Sequence, residues 1–265
     1  MTSDNVILVA GGDLRQQYAA RRLRQKTGAD VWTLGLPAQS GLHSAETLEE
    51  VPAYDVLVLP VPASPDGTTV PAPFGKAALP LETLAAHGKP GALVLGGACG
   101  GILPWLESRG LADYLRREEL CLANAVPSAE GAIQIAMEET ARTLHGTAAL
   151  VIGYGRIGMA LAPRLRGLGM DVTVCARRCE TRALAEMQGF AAVPTEQLPA
   201  AAKAALVIFN TVPALVLDET VLKGLPQETL VIDLASRPGG TDFEAAKRLR
   251  TRVVWALSLP PEMRR

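Results

Sequence analysis

The chain has 265 residues, of which 48% are hydrophobic and 20% charged, and its formal net charge is −1 at pH 7. This composition supports packed cores and argues against a disordered chain, and the length accommodates two domains. The near-neutral charge and the short apolar runs argue against nucleic acid and membrane as partners.

The N-terminal half contains short apolar runs separated by helix-like stretches. Because these runs are rich in Val, Ile and Leu and lack polar alternation, they predict strands buried on both faces, as in a parallel sheet covered by helices. The predicted strands are "NVILVA" (5–10), "DVWTL" (30–34), "DVLVLP" (55–60), "ALVL" (92–95) and "ELCL" (119–122). The first run follows the N-terminus directly, with no basic segment, so we expect no signal peptide and a cytoplasmic protein.

Two glycines follow the first predicted strand. The sequence "GGDLR" (11–15) lacks the full dinucleotide-binding pattern, so it does not predict a second nucleotide site. Its backbone N–H groups and Arg15 could bind a substrate carboxylate, although an ordinary strand-to-helix turn explains the glycines equally well. Further along, "PVPASPDGTTVPAPFG" (60–75) is typical of a long surface loop.

A helix is predicted between the two halves of the chain. Pro127 and Ser128 are typical of a helix start, Ile133 and Met137 share one face, and Gly146 is placed to end the helix. We expect a ligand in the cleft beside this helix. The predicted division is an N-terminal domain at 1–125, an interdomain helix at 126–145 and a C-terminal domain at 146–265.

The C-terminal half repeats the rhythm of the first. Its predicted strands are "TAALVI" (147–152), "DVTVCA" (171–176), "ALVIFN" (205–210), "TLVIDL" (229–234) and "RVVWA" (252–256). Alternating strands and helices with buried apolar strands predict an α/β protein with two doubly wound, Rossmann-like domains, each built on a parallel sheet.

The first strand of this half leads into a complete glycine pattern. Gly153, Gly155 and Gly158 form G-x-G-x-x-G between a predicted strand and a predicted helix, with Arg156 and Ile157 inside the pattern. In a dinucleotide-binding turn, the first glycine allows the tight turn, the second admits the pyrophosphate, and the third lets helix and strand pack closely. The context of the motif therefore predicts a dinucleotide site.

The end of the next strand indicates which dinucleotide is bound. NAD enzymes place a carboxylate about 20 residues after the glycine turn, to accept hydrogen bonds from the adenosine ribose. This chain has Arg177 and Arg178 there, and arginine pairs with a 2′-phosphate. We therefore expect NADP(H), although two solvated arginines at a strand end are the simpler alternative.

Two later strand ends are predicted to face the nicotinamide side of the cofactor. Asn210, Thr211, Val212 and Pro213 follow one strand, and Asp233 ends the next. An ordinary proline turn would explain the first group as well.

The candidates for catalysis are few. Arg237 lies in "DLASRPGGTDF" (233–243), where flanking glycines and a proline would hold it at a strand end to bind substrate. No histidine follows His145, which argues against the late histidine base of 2-hydroxyacid dehydrogenases, so Glu130 and His145 remain as the acid/base candidates. The four cysteines form no C-x-x-C pair, so no metal site is expected.

Several motifs together resemble a known family, the A subunits of bacterial dipicolinate synthase, over nearly the whole chain. They are "GGD-x-R" (11–15), "NAVPSAEGAIQIAMEET" (124–140), "LHG" (144–146), "GYGRIGMALA" (153–162) and "DLASRPGGTDF" (233–243). The resemblance implies an NADP-linked oxidation of a dihydrodipicolinate to dipicolinic acid in the mother cell of a spore former. It also implies the flavoprotein-like B subunit of dipicolinate synthase as partner, and a homo-oligomer is compatible with it.

The implied substrate is a small cyclic dicarboxylate, which needs several anion-binding donors. The sequence offers Arg15, Ser64, Asn124, Ser128 and Arg237.

Two other functions stay open from the sequence. One is an amino- or hydroxy-acid dehydrogenase of the same two-domain build. The other is a non-catalytic NADP-binding protein, because the family pattern continues after "ALSLPG" whereas this chain reads "ALSLPPEMRR" (256–265).

Overall fold

The computed structural model describes residues 5–100, 102 and 110–256. The departure from the family pattern at 256–265 therefore lies, apart from its first residue, outside the described residues. Contacts within the chain divide it into two compact units, with the boundary between Leu120 and Cys121. The predicted boundary lay five residues later.

The first unit is built on a six-stranded parallel sheet with the strand order β3-β2-β1-β4-β7-β8. A two-stranded antiparallel ribbon, β5-β6, belongs to the predicted surface loop and its continuation. The elements are β1 Val6–Ala10, α1 Leu14–Thr27, β2 Asp30–Leu34, β3 His43–Ala45, β4 Val56–Val58, β5 Thr69–Val70, β6 Leu79–Pro80, α2 Leu81–His87, β7 Leu93–Gly96 and β8 Leu111–Asp113, with 3-10 turns at Leu48–Glu50 and Tyr114–Arg116.

The second unit has a parallel sheet of the same kind, in the order β11-β10-β9-β12-β13-β14. Leaving out the β5-β6 ribbon, both sheets run 3-2-1-4-5-6, which is the doubly wound order. Its elements are α3 Glu118–Glu139 (which begins in the first unit), β9 Ala148–Ile152, α4 Arg156–Gly167, β10 Asp171–Cys175, α5 Cys179–Met187, β11 Ala191–Val193, α6 Leu198–Ala204, β12 Val207–Asn210, α7 Glu219–Lys223, β13 Leu230–Asp233, α8 Phe243–Leu249 and β14 Arg252–Trp255, with a 3-10 turn at Thr195–Gln197.

Both sheets are buried on both faces, as their uninterrupted apolar strands predict. In β1, Leu8 packs into one hydrophobic cluster and Val9 into another on the opposite face of the sheet. In β9, Leu150 and Val151 likewise pack into two different hydrophobic clusters on opposite faces of the sheet. The predicted fold of two doubly wound, Rossmann-like domains with parallel sheets is confirmed.

Helix α3 differs from the prediction at both ends. It spans 22 residues with Pro127 inside it, and Ser128 donates its hydroxyl to the Asn124 carbonyl instead of capping a helix start. The helix ends at Glu139, before the predicted stop at Gly146. The run 119–122 is its first turn and not a strand. Within the described residues, no helix has the length and apolarity needed to cross a membrane.

Candidate functional site

The turn between β9 and α4 uses its three glycines in three different ways. Gly153 has a φ of +88°, and a Cβ there would overlap the Thr211 hydroxyl. A Cβ on Gly158 would overlap the Gly153 carbonyl, so this glycine brings helix and strand together. Gly155 caps α4 with open space where a Cβ would be, and no side chain caps the helix. The backbone N–H groups and the open approach at this helix start suit a pyrophosphate.

A cavity of about 420 Å³ opens beside this turn, at the carboxyl ends of β9 and β10. It is lined by Ile152, Gly153, Tyr154, Gly155, Cys175, Ala176, Arg177, Arg178, Thr181, Thr195, Val212, Ala214 and Val216. The structure therefore brings the glycine turn together with both arginines that the sequence assigned to a 2′-phosphate. The glycine turn is placed for a pyrophosphate, and the two arginines lie where a dinucleotide-binding turn holds the adenosine ribose.

The two arginines lie on a short loop after β10, and a side chain from the following helix, α5, holds the backbone of this loop in place. Arg182 donates one guanidinium N–H group to the Ala176 carbonyl at 2.9 Å and to the Arg177 carbonyl at 2.8 Å. Arg178 pairs with Glu180 at 3.3 Å, and both side chains of this pair are about two-thirds exposed. Sequence reasoning missed Arg182, which acts only through backbone contacts. Cys175 lines the cavity, and burial raises the pKa of its thiol to about 11.

The loop after β12 places its backbone at the cavity. Thr211 donates both its N–H and its hydroxyl to the Ile152 carbonyl at 2.9 Å, and Val212 lines the cavity. Asn210 is completely buried, with its amide donating to the Val212 carbonyl and accepting from the Val212 N–H. Asn210 therefore shapes this loop from inside, and its side chain does not reach a ligand-accessible surface.

Asp233, at the end of β13, is also completely buried. Its carboxylate accepts four hydrogen bonds, from the Asn210 amide, the Ala235 N–H, the Gly240 N–H and the Thr241 hydroxyl, at 2.7 to 3.0 Å. With both oxygens occupied, Asp233 organises the neighbouring loops and does not present its carboxylate to a cofactor.

Arg237 lies at the tip of the loop that Asp233 organises. Its guanidinium carbon is 5.7 Å from the centre of the Trp255 ring, and Trp255 in turn stacks on Phe243 at 4.6 Å. Arg237 is exposed, and within the described residues its guanidinium has no carboxylate partner. An arginine held against an aromatic face, with no carboxylate partner among the described residues, is suited to binding an anion. Sequence reasoning missed Trp255, which it placed only as part of a strand.

The two acid/base candidates do not lie at this edge of the sheet. His145 precedes β9 and packs against Gly169, so it is at the amino ends of the strands. Five strand residues, about 17 Å, separate that edge from the glycine turn. Glu130 is mostly exposed and lies 3.6 Å from Arg164 of α4. Arg164 is about 13 Å along this helix from Gly155. The structure therefore does not bring Glu130 or His145 together with Arg237.

The glycine turn of the first unit is filled by the protein itself. Gly12 donates its N–H to the Pro71 carbonyl at 2.5 Å, and a Cβ on Gly11 would meet the same carbonyl. Asp13 caps α1 and binds Arg15 at 2.7 Å, which lowers the pKa of the Asp13 carboxyl. Arg15 is therefore already paired, and the turn offers an acid where the sequence had suggested an anion site.

The remaining candidate donors have internal partners or surface positions. Ser64 is buried and donates to the Thr69 carbonyl and to Asp66, in the loop that leads to β5. Asn124 is exposed on α3. Within the described part of the chain, no group of three or more His, Cys, Asp or Glu residues is placed to hold a metal ion.

Comparison with known families agrees with this geometry. Residues 123–237 match the NAD-binding domain of the D-isomer-specific 2-hydroxyacid dehydrogenases, and residues 6–104 match the N-terminal domain of the dipicolinate synthase A subunit. The fold, the glycine turn and the first of these matches define a nicotinamide-dependent oxidoreductase.

The chain belongs to the family of dipicolinate synthase A subunits. It is 31% identical to the dipicolinate synthase A subunit of Bacillus subtilis (strain 168) over 263 residues, which cover 96% of this chain and 88% of the relative. The crystal structure of the A subunit from Bacillus halodurans superposes with a TM-score of 0.87 at 29% identity, over 98% of this chain and 91% of that one. The Bacillus subtilis crystal structure gives 0.83 at 29% identity, over 97% and 89%. The family resemblance of the motifs is confirmed.

Proposed function

We propose that this chain is the NADP(H)-dependent component that oxidises a dihydrodipicolinate to dipicolinate during spore formation. The proposal is supported by the family, whose members carry the name of that synthase, and by the arginines at the cofactor cavity. The observation that carries it is Arg237, an exposed guanidinium without a carboxylate partner in the described part of the chain, at the same sheet edge as the glycine turn.

The cofactor preference follows from charge. A 2′-phosphate beside Arg177 and Arg178 gains charge-assisted hydrogen bonds, and the cavity lining contains no carboxylate that would repel it. The neighbouring Glu180 pairs with Arg178 on a solvated surface, where such a pair contributes little, so a phosphate can compete for the guanidinium.

The substrate follows from the anion-binding role that we assign to Arg237. A pyridine-2,6-dicarboxylate is planar and carries two negative charges, and a guanidinium binds a carboxylate through two parallel N–H bonds. Trp255 holds the arginine from one side, which limits the conformations that must be ordered on binding. Arg237 would thereby orient the ring of the substrate.

The oxidation removes one hydride, which passes to the cofactor, and one proton, which is released to solvent, from the dihydropyridine ring. NADP⁺, when bound, supplies the acceptor for the hydride. Because loss of these two hydrogens makes the ring aromatic, the reaction itself is favourable, and the chain mainly has to bind and orient the ring. The relatives are named as one of the lettered subunits of a synthase, which supports a different polypeptide as the partner of this chain.

The test is a calorimetric titration of Arg237 variants with pyridine-2,6-dicarboxylate and, separately, with NADPH. Arg237→Ala removes a charge-assisted pair worth about 1.5–3 kcal/mol, so dicarboxylate binding should weaken roughly 10- to 150-fold. Arg237→Lys keeps the charge but loses the planar fork, and should lie between the wild type and Arg237→Ala.

Arg142→Ala, which removes an exposed arginine near the amino ends of the strands, is the matched control and should change neither affinity. NADPH affinity should stay within about twofold in both Arg237 variants, because the arginines at the cavity are untouched. Unchanged dicarboxylate affinity in Arg237→Ala would contradict the proposed substrate site.

A further inference from the structure

The carboxylate of Asp233 connects two loops with different roles. One loop follows β12 and lines the cofactor cavity with Val212, Ala214 and Val216. The other, residues 235–240, carries Arg237. The Asp233 carboxylate accepts a hydrogen bond from the Asn210 amide, at the start of the first loop. It also accepts hydrogen bonds from the Ala235 and Gly240 N–H groups of the second loop.

Gly240 makes the direct contact between the two loops. Its carbonyl accepts the N–H groups of Val216 and Leu217, both at 3.0 Å. A Cβ on Gly240 would overlap the Asn210 amide and the Val212 carbonyl and would lie 2.8 Å from the Ala214 carbonyl. The backbones of the two loops are therefore in contact, and the position of one fixes the position of the other.

The bonds that define these loops converge on one buried cluster. The Val212 N–H binds the Asn210 side chain, the Leu234 N–H binds the Asn210 carbonyl, and the Gly240 N–H binds Asp233. Thr241 completes the cluster by donating its buried hydroxyl to Asp233 at 2.7 Å. Because the bonds of both loops share one buried cluster, displacing one loop breaks bonds that hold the other, and an unpaired buried polar group is costly.

We propose that Asp233 is a positioning residue that makes the binding of NADPH and of the dicarboxylate mutually favourable. This inference rests on the proposed function, since it takes Arg237 as the carboxylate-binding residue. A cofactor that orders the first loop also orders the second through Asp233, so the dicarboxylate then meets an Arg237 loop that is already ordered. The coupling is reciprocal, because linkage requires each ligand to change the affinity of the other by the same factor.

The experiment measures NADPH affinity by calorimetry with and without saturating pyridine-2,6-dicarboxylate, and the reverse titration checks reciprocity. In the wild type, we expect each ligand to tighten the other by about fivefold or more. Asp233→Asn removes the charge of the cluster and puts folding at risk, so the decisive variant is Thr241→Val. It deletes one bond to Asp233 while keeping the shape of the side chain, and should reduce the coupling to less than about twofold.

The matched control is Thr229→Val. Thr229 is also buried and also donates one hydroxyl bond, to the Ala205 carbonyl at 3.0 Å, but it lies at the amino ends of the strands. The Thr229→Val variant should lower the unfolding temperature about as much as Thr241→Val. It should leave the coupling between NADPH and dicarboxylate binding at its wild-type value, which separates an effect on loop position from an effect on general stability.

Three outcomes would overturn the inference. Equal coupling in Thr241→Val and Thr229→Val would show that the Asp233 cluster does not link the sites. Independent binding of both ligands to the wild type would refute the coupling and leave the proposed cofactor and substrate standing. Failure of the wild type to bind the dicarboxylate would refute the proposed substrate, and the inference with it.

Discussion

Arg177 and Arg178 differ from the other arginines of this unit in where they lie. Arg164 lies against Glu130, and Arg248 lies 3.1 Å from Glu219, whereas Arg177 and Arg178 both line the cavity beside the glycine turn. We therefore propose that single residues select between the two dinucleotides, through charge and without any change of fold.

The cofactor preference is tested by the double variant Arg177→Asp and Arg178→Ala. Removing the charge-assisted contacts to the 2′-phosphate should weaken NADPH by about 1.5–3 kcal/mol, while NADH, which lacks that phosphate, should change little. Fluorescence titration with each dinucleotide measures both affinities, and Arg142→Ala serves again as the control. Equal weakening of NADPH and NADH would contradict the assignment.

The two cysteines that flank this loop should differ in reactivity. Cys175 is buried and its raised pKa, about 11, keeps it a neutral thiol at pH 8, whereas Cys179 is exposed. Because the thiolate is the reactive form, an alkylating reagent at pH 8 should modify Cys179 and leave Cys175 intact in the folded protein. Mass spectrometry of the labelled peptides measures this, and Cys179→Ser is the control. Modification of Cys175 at the rate of Cys179 would show that the base of the cavity is open to solvent.

At the scale of elements, the β9–α4 turn separates binding from stability. A Cβ on Gly155 meets open space, so Gly155→Ala should fold normally but should hinder the pyrophosphate, weakening NADPH roughly tenfold or more. A Cβ on Gly158 overlaps the Gly153 carbonyl, so Gly158→Ala should lower the free energy of unfolding by about 1–3 kcal/mol. Thermal unfolding and NADPH titration of both variants test this pair, and the reverse pattern would be inconsistent with the placement of the glycines.

The central strands could be predicted from the sequence because burial on both faces leaves an uninterrupted apolar run. The short strands His43–Ala45, Leu111–Asp113 and Ala191–Val193 were missed, since three residues at a sheet edge carry no such run. The apolar run 119–122 predicts a strand, but it belongs to the first turns of helix α3. Leu120 and Leu122 are 38% and 45% exposed, and the preceding Glu118 and Glu119 favour a helix start.

The site followed a similar rule. The glycine turn and the two arginines belong to one known motif with a fixed spacing between turn and strand end, and the structure brings them to one cavity. Pro127 and Ser128 together predict a helix start, but the helix runs through both residues. The role of Asp233 depends on its hydrogen bond with Asn210, 23 residues earlier in the chain, and no sequence motif predicts this contact.

At the scale of the whole molecule, the chain contains the same sheet order twice. One of its two glycine turns is open, and the other is covered by a backbone carbonyl. The second turn ends in open space at Gly155, whereas the first is closed by Pro71 from its own unit. We therefore expect the two units to differ in dinucleotide binding despite their equal sheet order, and the loop that contains the β5-β6 ribbon contributes to this difference by covering the first turn.

The closed glycine turn of the first unit predicts how many NADPH molecules one chain binds. Because the Gly12 N–H is already bonded to Pro71 and the neighbouring Asp13 is an acid, an incoming pyrophosphate would have to displace a carbonyl and approach a negative charge. Calorimetric titration of the full chain should therefore saturate at one NADPH per chain, and Gly155→Val should bring that number to zero. A residual equivalent in Gly155→Val would mean that the first unit also holds a dinucleotide. A loop that occupies the glycine turn of its own unit would thus leave a chain with two sheets of equal order asymmetric in its ligands.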